Sequence, residues 1–482
     1  MGPAGSDSTG APPRIRCRRG RRNAHGGHRP TVSIRVEVLK LSEYGESVID
    51  DDLAQLVEEK FWTALGITLS KHPRDAGWRV KADALSGIAR AKTRNLDLTV
   101  RIEPKLADAD LVFLADYAYG QRGNPLRRPD AARVGVDSQH NDPIATLLIW
   151  YVNSVSDFAT RWLRRSYRSR RVTLDSRVRG RVLIGPFLTR SLTSGRANEI
   201  PCVVTERTID TANNQVLKAG LRRVAKLAMT LPVPAARRAV RRAVSGALPR
   251  FAEVSDVEIG PGQIRATTAK GPERHYESIL ATTLDLLEGR FLGQTLGQAQ
   301  VESFLWSMPH LFQEAVRGIL ELSESFTMDG SRRPSARYLD SAGLPLTASR
   351  IDPDFVLTDG AGVTVLDAKY KNALGLGGPD TDLVESVTGP RLRVSRSDLY
   401  QLAAYRQHSG WNGAPVALIY PVTVKPGAKL PAPYVVRGLG EPIWLTFIDI
   451  GPRAREHIET FLRNITALRP PAEPEASDAP VP

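Results

Sequence analysis

Apolar and polar positions begin to alternate at Thr31. In TVSIRVEVLKL, Val32, Ile34, Val36 and Val38 fall on one face of a strand. Residues 51–65 read as an amphipathic helix, LDLTVRIEPK (96–105) as a second strand, and LADADLVFLADYAYG after it as helical. Residues 143–170 predict a long helix with a basic C-terminal half: Arg161, Arg164, Arg165, Arg168, Arg170 and Arg171. Those arginines either face DNA or form a solvated helix face, and the second reading is the default. Residues 177–210 are strand-like, ending in IPCVVTERTID. A helix then opens near Thr211 or Asn213 and runs to about Met229. The stretch PAARRAVRRAVSGALPR within 232–250 is a basic helix or a linker.

The sharpest pattern is RIDPDFVLTDGAGVTVLDAKYKN, residues 350–372. Phe355, Val356 and Leu357 make a short strand, Thr358 to Gly362 supply a turn, and Val363 to Leu366 form an apolar second strand. That strand runs directly into Asp367, Ala368 and Lys369. Side chains alternate along a strand, so Asp367 and Lys369 project from one face while Asp354 stands at the start of the neighbouring strand. Downstream, RSDLYQLAAYRQ (396–407) has helical spacing, with Gln401 and Tyr405 four apart on one face and Asp398 as an N-cap or first-turn acid. PVALIY (415–420) and IWLTFIDI (443–450) predict further core strands.

The expected class is α/β. A C-terminal domain (271–468) would have a mixed central sheet flanked by helices. It would follow an α+β region (31–270) with β-rich beginnings and a helical stalk. The boundary is expected between 262 and 290. Residues 1–30 hold seven arginines against the single acid Asp7 and cannot bury enough to fold alone. They are a nucleic-acid-grasping arm or the product of a misassigned start codon. Residues 469–482 read as a loose tail, and GLGG (375–378) as a mobile loop near the site.

Composition narrows the class. The 482 residues carry a net charge of +14, which favours polyanionic partners through counterion release, although solvated arginines give the same number. Two cysteines without a CxxC make no disulfide framework, and a reducing cytoplasm is expected. The apolar stretch Ala145 to Val152 is far short of a bilayer span, and no apolar h-region follows the Arg-rich start. Histidines lack zinc spacing, and GxSxG and GxxxxGK[ST] are both missing.

Two carboxylates and an ammonium at the end of an apolar hairpin are costly unless paired or metal-bound. Phosphodiester cleavage needs an activated water and a neutralised developing charge, and a hard Mg2+ ion suits both tasks. Asp354 and Asp367, with the Ala368 carbonyl, are the expected metal ligands. Lys369 would orient or help deprotonate the water and stabilise the phosphate. Gln401 and Tyr405 would bind a phosphate or hydrogen-bond the carboxylates. The bland alternative is a surface hairpin with ordinary salt bridges and an amphipathic helix behind it.

The order hairpin, DAKYK, QxxxY helix resembles the RecB-type branch of the PD-(D/E)xK nucleases. More narrowly, the chain resembles the McrC family of McrBC-type modification-dependent restriction systems. The supporting segments are IEPK (102–105), RVRGRV (177–182), IPCVVTERTIDTANNQVLKAGL (200–221), MPHLF (308–312), PDFVL (353–357), LDAKYK (366–371) and DLYQLAAY (398–405). The resemblance implies a Mg2+-dependent endodeoxyribonuclease cutting modified DNA beside a McrB-like AAA+ GTPase. It also implies that the partner is engaged through the N-terminal region. Here the basic N-terminal half, including the corner at Lys105, is expected to contact partner or DNA. The family usually has an acid directly after the LF of MPHLF. Here that place is Gln313, and the acid is Glu314. Either Glu314 takes over with a shifted helix phase, or the site runs on two carboxylates. Two other classes remain open: a stand-alone repair or processing nuclease, and a non-catalytic DNA-binding assembly subunit.

Overall fold

The computed structural model describes residues 34–468, apart from 57–58, 72–76, 107–108, 120–141, 260–270, 289–294, 297–298, 329–334, 340–344, 351, 361, 375–391, 393, 408–410, 412 and 438–441. Both tail assignments and the Gly-rich loop lie outside the described residues. The chain divides into two compact units, residues 1–105 with 290–305 and residues 106–289 with 306–482. The boundary expected between 262 and 290 therefore falls where the chain leaves the second unit only to return at 306. Residues 106–289 belong to the same unit as the C-terminal sheet.

The first unit is a five-stranded sheet beside a three-stranded one. Arg35–Ser42 lies parallel to Leu96–Glu103, which pairs antiparallel with Leu85–Lys92. The strands Ala299–Ser307 and Thr295–Leu296 extend the same sheet. Phe61, Trp62, Leu65, Val80, Leu98 and Val100 fill the core. Ile34, Val36 and Val38 do share a face, but it is the exposed one, and Leu39 and Leu41 are the buried residues of that strand. The inward phase starts at Arg35 and Glu37, which pair at 2.9 Å, so charge occupies the first inward positions. Helix 51–65 is two short helices, Asp51–Leu56 and Glu59–Ala64. At the IEPK corner the Lys105 ammonium lies over the Tyr44 ring, and the Lys105 backbone N–H donates to Glu43. Burial pushes the Glu43 carboxyl up to about 7.

In the second unit, Asp142 caps the helix Pro143–Trp162 by accepting from the N–H groups of Ile144 and Ala145. The expected helix to residue 170 stops there. Ser166–Asp175 is a strand paired antiparallel, residue for residue, with Glu199–Thr208. The reason is cross-strand: Ser169 meets Thr205 at 2.8 Å and Arg170 meets Glu206 at 3.0 Å, contacts that no helix supplies. Of the six arginines assigned to that helix, only Arg161 lies on it. Helical turns at Ile184–Pro186 and Phe187–Leu192 also interrupt the strand-like 177–210. Thr211 caps the helix Ala212–Leu227, and Pro234–Ala247 is a helix with Ala236, Val240, Val244 and Ala247 buried on one face.

The C-terminal sheet has six strands. Thr327–Met328, Phe355–Asp359 and Gly362–Ala368 run antiparallel in turn. Val416–Val422 and Ile443–Asp449 then follow parallel to the last of these, and Tyr434–Val436 closes the far edge antiparallel. Every residue of Val416–Val422 is buried, as expected of a central parallel strand covered on both faces. The helix Met308–Leu320 packs on Leu111–Tyr119 and against the strand Gly362–Ala368, while Arg396–Arg406 packs on the two parallel strands. No described helix is long and apolar enough to cross a membrane.

Candidate active site

The hairpin places the carboxylates. Phe355 pairs with Leu366, so Asp354 and Asp367 sit one step beyond this pair, on adjacent strands. One Asp354 oxygen accepts the Ala368 N–H at 2.8 Å, and the other accepts from Gln313 Nε2 at 2.7 Å. Asp367 is buried, with the Lys369 ammonium 2.6 Å from Oδ2. That ammonium is the one cation among the described residues that pairs with it, against two buried carboxylates. The Lys369 N–H donates to the Ile419 carbonyl, which pins the strand end that carries the ammonium.

Electrostatics follow from this crowding. Burial, then the charge of Asp367, pushes Asp354 up to about 6. Burial also raises Asp367, against the opposing pull of Lys369. Lys369 itself is raised: burial works against its charge, but Asp367 and Asp354 outweigh it, so it stays an ammonium at neutral pH.

The helix Arg396–Arg406 supplies the other wall. Gln401 Nε2 donates to the Tyr405 oxygen at 2.5 Å, and the Tyr405 hydroxyl donates to the Asp352 carbonyl at 3.3 Å. The pair thus bonds to itself and to the backbone two residues before Asp354. Burial and the two aspartates raise the Tyr405 phenol, so it stays protonated. Ser395 occupies the N-cap, which leaves Asp398 as the first-turn acid.

Three residues join the site that sequence reasoning had not assigned to it. Gln313, not Glu314, reaches Asp354; Glu314 turns instead to Arg317 at 3.3 Å. The 3.6-residue period decides this, because the next residue along a helix points about 100° away. Arg317, one turn after Gln313, stacks its guanidinium over the Phe355 ring and reaches the Asp354 carbonyl. Its signal was the i, i+4 spacing from Gln313. The Lys371 ammonium donates to both carboxylate oxygens of buried Asp398, at 3.0 and 2.7 Å. The two are 27 residues apart, so no local pattern shows them as partners.

Among the described residues, no three His, Cys, Asp or Glu side chains gather into a cage for a metal. The donor set is two carboxylates beside an amide. Such a set fits a Mg2+ ion, which keeps several waters and is held by one or two carboxylates, and does not fit a zinc site closed by protein ligands. Two buried carboxylates crowded together with a single ammonium beside them are the observation that favours a cation here.

The fold is thus a mixed α/β sheet with a buried carboxylate–lysine cluster at the end of a hairpin. A family model described as "McrBC 5-methylcytosine restriction system component" matches residues 80–421, and the chain belongs to that family. Among solved structures, the chain is similar to one from a half-complex of a tetradecameric assembly of Thermococcus gammatolerans McrB AAA+ hexamers with bound McrC. The identity is 16%, the TM-score is 0.54, and the match covers 90% of this chain and 100% of that one. A second match is to the cryo-EM structure of the Thermococcus gammatolerans McrBC complex, at 16% identity and a TM-score of 0.39, over 60% of this chain and 89% of that one. At such identity the first likeness speaks for the fold. No curated protein sequence matches the chain.

Proposed function

We propose that this chain is the McrC-like nuclease subunit of a modification-dependent restriction system of the 5-methylcytosine type. In this reading it is a Mg2+-dependent endodeoxyribonuclease that works with a McrB-like AAA+ GTPase. The family membership and the fold shared with an assembly of McrB hexamers and McrC support the partner. The carrying observation for the chemistry is the pair Asp354 and Asp367, both buried and both raised, crowded beside one ammonium. Such a cluster is costly by itself and becomes favourable around a cation.

Asp354 and Asp367 would hold the ion, with the Ala368 carbonyl as a third oxygen. When bound, the ion supplies Lewis acidity and lowers the pKa of a coordinated water. Gln313 holds Asp354 in its rotamer by donating to one oxygen while the Ala368 N–H fixes the other. Lys369, kept protonated by its carboxylate neighbours, donates to water and phosphate oxygens; its raised pKa argues against its acting as the base. Tyr405 and Gln401, locked to each other, brace the segment that enters the Asp354 strand. Glu314 pairs with Arg317 and is given no ligand role in this scheme.

The test is plasmid cleavage, methylated against unmethylated, with and without a McrB-like AAA+ partner, GTP and Mg2+. Methylation-dependent cutting that needs all components, and that Asp367→Ala abolishes while DNA retention stays, is the expected result. Cutting without the partner would make the chain a stand-alone nuclease. Binding without cutting under every condition would make it an assembly subunit.

A further inference from the structure

The positive charge is not spread evenly. Between residues 211 and 252 the chain has nine lysines and arginines and no aspartate or glutamate, so this stretch carries +9 of the net +14. Part of it is internally satisfied: Lys218 and Arg222 pair with Asp256, and Arg237 donates to the Leu231 carbonyl. On the helix Pro234–Ala247, Arg238, Arg241 and Arg242 are different. At 100° per residue they cluster opposite the buried stripe of Ala236, Val240 and Val244. All three are exposed, and among the described residues no carboxylate lies within ion-pair distance of them.

The row continues past the helix. Arg250 donates from Nη1 to the Gly246 carbonyl at 2.8 Å, which ties its guanidinium to the C-terminal end of the helix. Its Nε donates to Thr160 Oγ1 at 3.0 Å, next to exposed Arg161 at the end of the neighbouring helix. Arg238 and Arg242 thus stand at successive turns, about 5–6 Å apart, with the anchored Arg250 about two turns further on. Two exposed acids lie nearby, Asp157 one turn before Arg161 and Glu253 after Arg250. Neither forms an ion pair among the described residues.

We propose that this arginine track (Arg238, Arg242 and Arg250, with Arg241 beside it and Arg161 beyond its end) is a contact site for the phosphate backbone of duplex DNA, separate from the carboxylate cluster. The proposal rests on the endonuclease reading above and adds where the uncut flank of the substrate is held. The exposed positions from 238 to 250 are four arginines, Ser245, Gly246 and Pro249, with no apolar or aromatic anchor of the kind a protein interface buries. Guanidiniums in a row with no acid paired to them instead match a line of phosphates, which they bind without reading sequence. A partner protein is the rival occupant, and the test separates the two.

The experiment uses the full chain, fluorescent duplex DNA and EDTA, so that binding is read without cleavage. The variants are Arg238→Gln, Arg241→Gln and Arg242→Gln combined, and the same three positions changed to Lys. Each lost phosphate contact reduces the slope of log K against log salt by about 0.9, so the Gln variant should lose about 2 to 3 from the slope. It should bind roughly tenfold or more weakly at 0.1 M salt, alike on methylated and unmethylated DNA. The Lys variant should keep most of the slope, which a structural role for the guanidiniums would not allow. Unchanged slope and affinity in the Gln variant would overturn the proposal. So would unchanged DNA binding with lost binding to the AAA+ partner, which would assign the face to protein. Wild-type cleavage with Mg2+ is scored separately: a chain that binds through this track but never cuts would sink the nuclease reading and leave the track standing.

Discussion

Asp367→Asn tests whether the two carboxylates form a cation site. The substitution keeps size and shape and removes one charge. In the cation-free protein, Asp354 is raised from 3.8 to about 6, a shift corresponding to about 3 kcal/mol in favour of the neutral form at higher pH. The sign is that of an acid with a raised folded pKa. Between pH 3.8 and about 6 the folded carboxyl holds a proton that the unfolded chain has released. This group's contribution therefore declines as pH rises through that window and stays low above it. Removing the Asp367 charge relieves the second-largest cause of the shift and also removes a carboxylate that is itself raised by burial. Against this, Lys369 loses its partner at 2.6 Å. Lys369 is 22% exposed, so water takes over part of its solvation, and the loss is of order 1 kcal/mol. The net is a gain of about 1 kcal/mol, which for a chain of this length is a rise of about 1 °C in Tm, for Asp367→Asn in EDTA at pH 8. With Mg2+ at a hundred times its Kd the wild type gains about 2.7 kcal/mol, and the variant gains little. The order of stabilities should therefore invert between EDTA and Mg2+, read by calorimetry on both proteins. A variant less stable than wild type in EDTA, or equal Mg2+ stabilisation of both, would refute the reasoning.

Other substitutions probe the surroundings. Gln313→Glu places a third carboxylate against Asp354, replacing a donor at 2.7 Å with a like charge. It should lower Tm in EDTA and tighten Mg2+ binding by calorimetric titration, and looser binding would count against the cation site. Lys371→Ala leaves Asp398 buried without its bidentate partner, which should cost about 2–3 kcal/mol in denaturant titrations; a cost near zero would mean that Asp398 finds other donors. Tyr405→Phe removes the acceptor for Gln401 and the bond to the Asp352 carbonyl, for about 1 kcal/mol of stability with cleavage reduced rather than lost. Full activity in that variant would remove the brace from the scheme. Gly220→Ala would set a Cβ 2.0 Å from the Tyr151 hydroxyl and 2.7 Å from Thr283 Cγ2, an overpacking of about 1–3 kcal/mol that a stable, well-packed variant would contradict.

The sequence carried the site where chemistry and local pattern coincide. An apolar run broken by DAK, after a turn and a second short strand, admits few structures other than a hairpin with charge at its buried end. Asp354, Asp367 and Lys369 do converge there. The strands Val416–Val422 and Ile443–Asp449 were legible for a similar reason: runs of Val, Ile, Leu and Phe too short for a helix pair read as central strands.

What local pattern could not carry was phase and partner. Ser166–Asp175 looks like the end of a helix because arginine is at home there, and only its pairing with Glu199–Thr208 makes it a strand. Val36 and Val38 mark a face, but the pairing with Leu96–Glu103 and the charged pair at Arg35 and Glu37 turn it outward. A single step along a helix separates Gln313 on Asp354 from Glu314 on Arg317. Composition favours the glutamate as a site residue, and geometry selects the amide. The consequence is chemical: a neutral donor fixes the ligand's orientation without adding charge to a pocket where burial already holds both aspartates above their ordinary range.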